Sequence, residues 1–340
     1  MEIGAAMEMS TATQISTATA NAGAITLLRS PLSVINIGGR PFTRGCSEGG
    51  HVKIERVPTA QCLVGEGPLW DVAEQALYFI DIVGKVIHRF DPSTGQTRSW
   101  DVGQVIGSMA LRDQGGAIVA LKDGMFTLDL VSGDVELLAK ANHIHPRAQM
   151  NDGKVDRRGR FVVGSGDSDI RDCRPYGTLY RLDTDHSLHE LDREIAISNG
   201  PCWSPDNKTL YFSDSLKYHI YAYDYDIATG DVANRRVFAD TRELGGIPDG
   251  ATVDSDGLMW IAICGGAKVV AYQPDARIER TIEMPIKYPA SVMFGGSNLD
   301  ELYVTSINPR LVGGEPDGGG DTFVITGLGC KGIAEPRYAA

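Results

Sequence analysis

Four oxygen-bearing side chains stand in similar local settings along this chain: Glu66 in GEGPLW, Asn151 in MNDGKV, Asn199 in SNGPCW and Asp249 in IPDGATV. Each is followed by Gly or Asp, so each alone reads as ordinary turn chemistry. As a set they offer two carboxylates and two amides, with no thiolate. All-oxygen ligands suit a hard divalent ion such as Ca²⁺, Mg²⁺ or Mn²⁺, and Zn²⁺ is also compatible. Two carboxylates brought together repel unless one is protonated or a cation lies between them. For such chemistry the fold must gather residues from position 66 to position 249 onto one point.

The elements that do the gathering are short and repetitive. From residue 51 onward the chain is a series of apolar-alternating runs separated by Gly, Asp, Asn and Pro, and no segment holds a convincing helical stripe. Trp70, Leu111, Val155, Trp203, Val253 and Phe294 occupy matching positions in these runs, with successive spacings of 41, 44, 48, 50 and 41 residues. Each is followed by a polar or Gly turn and then an apolar strand. Units of this length carrying about four strands are propeller blades, and the period disfavours a β-sandwich pair or a parallel β-helix.

The expected fold is therefore all-β: a six-bladed β-propeller with four-stranded blades and a central channel. The last unit, which includes ELYVTSI and DTFVITGL, is one strand short, and VKIERV (52–57) is expected to supply the missing strand. Four residues before the six anchors lie Glu66, Gly107, Asn151, Asn199, Asp249 and Ala290, which the propeller places in a ring at one mouth of the channel. A single metal ion is inferred there, held by Glu66, Asn199 and Asp249 with Asn151 nearby. Equivalence by itself does not say which of the four is not a ligand.

The 340 residues carry a net charge of −12, which argues against nucleic acid as a partner. No apolar run is long enough to cross a bilayer. Six cysteines without a C-x-x-C pair read as reduced thiols rather than a disulfide framework, so a cytoplasmic location is expected. Residues 1–50, rich in Ser, Thr and Ala at the start, are expected to form a disordered extension to a propeller of residues 51–340. An organellar targeting segment is the alternative, disfavoured by Glu2 and Glu8. No G-x-S-x-G, H-E-x-x-H or P-loop pattern occurs. HIH (143–145), DYDIATGD (224–231) and EPDGGGD (315–321) read as loops or turns rather than metal sites.

GEGPLW, NDGKVD, ISNGPCWSPD, DYDIATGDVANRR, IPDG, ELYVTSI and ITGLGCKGIA together resemble the regucalcin (senescence marker protein)/gluconolactonase family, which also includes luciferin-regenerating enzyme. The resemblance covers about residues 55 to 340. It implies a six-bladed propeller with one divalent ion in the channel, hydrolysing a small-molecule sugar lactone to its aldonic acid; a monomer is expected. It places Glu66, Asn199 and Asp249 on the metal ligands, Asp249 also on the acid/base residue, and Asn151 on a substrate contact. Members usually carry Arg two residues before the NDG asparagine, where this chain has Gln149, with Arg147 the nearest arginine. Gln149 and Arg147 are thus both candidates for substrate contact, and Asp169 in GSGDSDI falls near an acidic contact position of some members. The resemblance leaves two other roles open: a calcium-binding regulatory protein, or a hydrolase of a non-sugar ester or lactone.

Overall fold

The computed structural model describes residues 51–340. Six antiparallel four-stranded sheets follow one another around an axis as the six blades of a propeller. Their innermost strands are Gly65–Asp71, Ile106–Leu111, Ala148–Val155, Ser198–Trp203, Ile247–Val253 and Pro289–Gly295. Blades one to five are each built from four consecutive strands. In blade six the outermost strand is Lys53–Val57, paired antiparallel to Thr322–Thr326, so the start of the propeller closes its end. This is the strand that VKIERV was expected to supply.

Sequence texture explains the layering. The second strands, such as Ala76–Asp81 (ALYFID) and Met259–Cys264 (MWIAIC), are buried throughout, because a neighbouring blade covers each of their faces. The outermost strands, such as Gln96–Asp101 (QTRSWD) and Val232–Asp240 (VANRRVFAD), are mostly exposed and carry the charges. The hydrophobic core is accordingly divided into six clusters, one between each pair of adjacent blades. Between blades one and two, for example, Tyr78, Ile80 and Ile87 pack against Met109, Leu111 and Val119.

One irregularity recurs in every blade. The pairing of each innermost strand with its neighbour slips at the same place: between Glu66 and Leu69, Ile106 and Ser108, Met150 and Gly153, Asn199 and Cys202, Pro248 and Ala251, and Pro289 and Ser291. The Glu-Gly, Asn-Asp, Asn-Gly and Asp-Gly dipeptides are therefore β-bulges inside strands, not turns. A bulge leaves a residue outside the ladder and re-aims its side chain. Here it breaks the alternation that would otherwise send the side chain between blades.

The two ends of the channel differ. Beyond the last strand, residues 329–340 cross the face where the innermost strands finish. Ser255 N donates to Lys331 O, Gly332 N to Leu299 O, Tyr338 N to Leu111 O and Ala339 N to Gly159 O, so the segment ties together blades five, six, two and three. Arg337 adds an ion pair of 2.6 Å to the buried Asp71 of blade one. The GLGCKG run (327–332) that leads into this segment has the glycine spacing of a dinucleotide-binding turn. It follows the last strand and opens no helix, so it lacks the context that such a turn requires. The opposite face remains open.

Candidate metal centre

At the open face the innermost strands begin, and the bulges deliver their side chains to the floor of a cavity of 610 Å³. Glu66, Asn151, Asn199 and Asp249 all line it. Glu66, Asn199 and Asp249 are buried, with 5–6% of their surface exposed. The Glu66 and Asp249 carboxyls lie within hydrogen-bonding reach of each other. Burial, with the nearby Asp249 and Asp152 charges, holds the Glu66 carboxyl well above its ordinary range. Burial and the Asp152 charge raise Asp249 to about 8. Neither carboxyl forms an ion pair with a basic side chain among the described residues.

The amides are oriented by a chain of hydrogen bonds. Ser215 Oγ donates to Pro248 O at 2.7 Å and accepts from Asn199 Nδ2 at 2.8 Å, which fixes the orientation of the Asn199 amide. Asn151 Nδ2 donates to Ser198 O at 2.7 Å and to Asn199 Oδ1 at 3.0 Å. Two carboxylates without a cationic partner, facing an amide oxygen, form a donor set that fits a hard divalent ion. No three His, Cys, Asp or Glu side chains form a metal-binding group among the described residues, so a third protein ligand here would come from the amides of Asn199 or Asn151.

The other predicted residues separate into two pairs. Gln149 lines the cavity beside Asn151. Arg147 and Asp169 instead bind each other at 3.2 Å, outside the cavity lining. Arg147 also pairs with the buried Asp167 at 2.7 Å, and its guanidinium lies over Tyr176 at 5.3 Å. Together these contacts brace the rim of blade three.

Three further residues shape the site without having been singled out. Ser215 fixes the Asn199 amide, and Cys264 lies beside Asp249 in the cavity lining. Asp152 turns away from the cavity and accepts from Gly153 N and Gly200 N, both at 2.8 Å, joining blade three to blade four. The only signal for Cys264 is strand register, since Met259–Cys264 pairs with the strand carrying Asp249 and sets Cys264 opposite Ile247.

Residues 64–308 match the model of the SMP-30/gluconolactonase/LRE-like region. The chain belongs to this family. Regucalcin of Xenopus laevis is 38% identical over 85% of this chain and 99% of its own length. Among solved structures, a luciferin-regenerating enzyme superposes with a TM-score of 0.79 at 31% identity, covering 85% of this chain and all of that one. A calcium-binding protein, regucalcin, from Agrobacterium tumefaciens gives 0.77 at 26% identity, over 84% and 97% of the two chains. The family's propeller is thus the fold found here.

Proposed function

We propose that this protein is a divalent-cation-dependent hydrolase that opens a lactone ring to the hydroxy acid. One observation carries the reading: Glu66 and Asp249, buried and without a basic partner among the described residues, face each other on the floor of an open cavity. The family description, which includes gluconolactonase, supplies the reaction class. Glu66, Asn199 and Asp249 would hold the cation, which when bound supplies Lewis-acid stabilisation for negative charge developing on a carbonyl oxygen.

Asp249 takes the proton from the attacking water at one carboxylate oxygen. It returns that proton to the ring oxygen as the carbon–oxygen bond breaks, so water adds across the ester and nothing else is consumed. Cys264 packs beside Asp249 in the cavity lining. Asn151 presents its amide beside Asn199 and orients the substrate, with Gln149 alongside.

Acid release from a panel of γ- and δ-lactones, D-glucono-δ-lactone included, tests the reading. Activity should vanish with chelator and return on addition of Ca²⁺, Mn²⁺, Mg²⁺ or Zn²⁺. Asp249→Asn should lower kcat at least a thousandfold. Hydrolysis that survives chelation, or an undiminished Asp249→Asn, would overturn it.

A further inference from the structure

The cavity has its carboxylates at the floor and a mixed wall above them, in which Gln149, Ser168, Tyr218 and Tyr288 stand among aliphatic side chains. Above the carboxylates each of the six blades contributes at least one half-buried aliphatic side chain: Val83, Val105, Ile170, Leu216, Ile247 and Val312. Val83, Ile170, Leu216 and Val312 come from the connections between second and third strands, Val105 from the loop before an innermost strand and Ile247 from the first position of one, so aliphatic side chains are distributed around the whole mouth. Apolar surface left facing water inside a concave site gains by being covered, at about 25 cal/mol per Å².

The charged groups of the wall are engaged. Arg242 is the one cationic side chain lining the cavity among the described residues. It is paired with Asp240, donates to Lys217 O at 3.2 Å and lies over Tyr218. Asp167 is held by Arg147 and by Arg174 N, and Ser215 by Asn199 and Pro248. Against the aliphatic part of the wall a polyol ring would leave hydroxyls unpaired, and each unpaired group costs free energy. An anionic substituent would find no free cation in the wall.

The geometry points to a substrate whose reacting lactone carries an apolar alkyl or aryl body, with the ring at the carboxylate floor and the body against the aliphatic wall. This rests on the hydrolase reading for the chemistry but not for the binding preference. A cavity of 610 Å³ lies within the range of about 300–1,000 Å³ that takes drug-sized ligands, leaving room beyond a bare lactone ring.

δ-Lactams, which resist hydrolysis, separate binding from turnover. With Mn²⁺ present, calorimetry should show 6-propyl-, 6-pentyl- and 6-heptyl-δ-lactam binding about two- to fourfold more tightly per added methylene. D-Glucono-δ-lactam should bind at least tenfold more weakly than the heptyl compound. Val105→Asn and Leu216→Asn, at half-buried loop positions, should flatten the chain-length dependence, with folding checked by thermal melting. The corresponding lactones, followed by acid release, should show the same order in kcat/KM. Affinity independent of chain length, or preference for the gluconolactam, would overturn the inference even if lactones are hydrolysed. Chain-length-dependent lactam binding without turnover of any lactone would uphold it and remove the hydrolase reading instead.

Discussion

At the scale of single residues, position rather than type gives Asp249 and Glu66 their chemistry. Both belong to commonplace dipeptides, yet their carboxyls titrate upward because they are buried beside other carboxyls. A carboxyl whose folded value exceeds its unfolded value binds more protons in the folded state, so stability is present below about pH 4 and lost as pH rises. The cation-free protein should accordingly lose on the order of a few kcal/mol between about pH 4 and pH 8, read by denaturant titration. A divalent ion stabilises the ionised forms, so its protection should grow over the same interval, and a pH-independent effect of chelator on the melting temperature would contradict this. Ser215 tests orientation separately from charge. Ser215→Ala frees the Asn199 amide to rotate and should weaken cation affinity about tenfold, as loss of a supporting hydrogen bond commonly does, without removing a ligand. Unchanged affinity by calorimetry would show that the amide is fixed by other contacts. Glu66, Asn151, Asn199 and Asp249 were legible because they recur with the blade period. Ser215 and Cys264 were not, since each reaches the site across the sheet from a neighbouring strand or loop, and pairing register leaves no periodic mark on the sequence.

At the scale of elements, the feature that makes the site is the bulge repeated in all six innermost strands. The sequence showed where these bulges lie but not what they are: Asp-Gly and Asn-Gly are common in turns, and only the pairing with the second strand shows the chain continuing extended through them. The glycines mark where adjacent blades come closest to the axis. Gly200 has φ +57°, and a Cβ there would lie 2.7 Å from Asp249 O. At Gly250 a Cβ would lie 1.9 Å from Ser291 Oγ and 2.3 Å from Ser291 Cβ, forcing blades five and six apart. Gly250→Ala should therefore cost about 2–4 kcal/mol and weaken cation binding together with stability, because the displaced strand carries Asp249. The double variant Gly250→Ala/Ser291→Gly removes the two closest atoms and should recover part of both losses. Equal stability of Gly250→Ala and the parent, by chemical denaturation, would mean that the strand pair moves apart without strain. The aliphatic wall belongs to this scale too and was not legible. Val83, Val105 and Leu216 lie in loops, where no alternation distinguishes a side chain facing a cavity from one facing solvent.

At the scale of the molecule, a ring of blades is only as strong as its closure, and two segments far apart in sequence provide it here. The strand Lys53–Val57 pairs along its whole length with Thr322–Thr326 and buries Val57 between blades six and one. Arg56 Nε adds a 2.8 Å ion pair to Asp321, whose side chain is 4% exposed. The missing strand of the last repeat made this closure readable from sequence. The crossing of the opposite face by residues 329–340 was not, because that segment has no strand pattern and is positioned by isolated contacts such as Arg337 with Asp71. Closure couples stability to the site, since blade one carries Glu66 and blade five Asp249, and the two are held at a fixed separation through blade six as well as through blades two to four. Deleting residues 53–57 removes the ladder with Thr322–Thr326 and leaves the blade-six edge unpaired, exposing a strand suited to edge-to-edge association. The deletion should lower the melting temperature by about 5–10 °C and promote concentration-dependent self-association, both measurable by scanning fluorimetry and light scattering. Cation affinity should fall in parallel, because the ring then fixes Glu66 and Asp249 along one arc only. Full affinity in a deletion variant that melts early would show that blades one to five position the two carboxylates without the sixth.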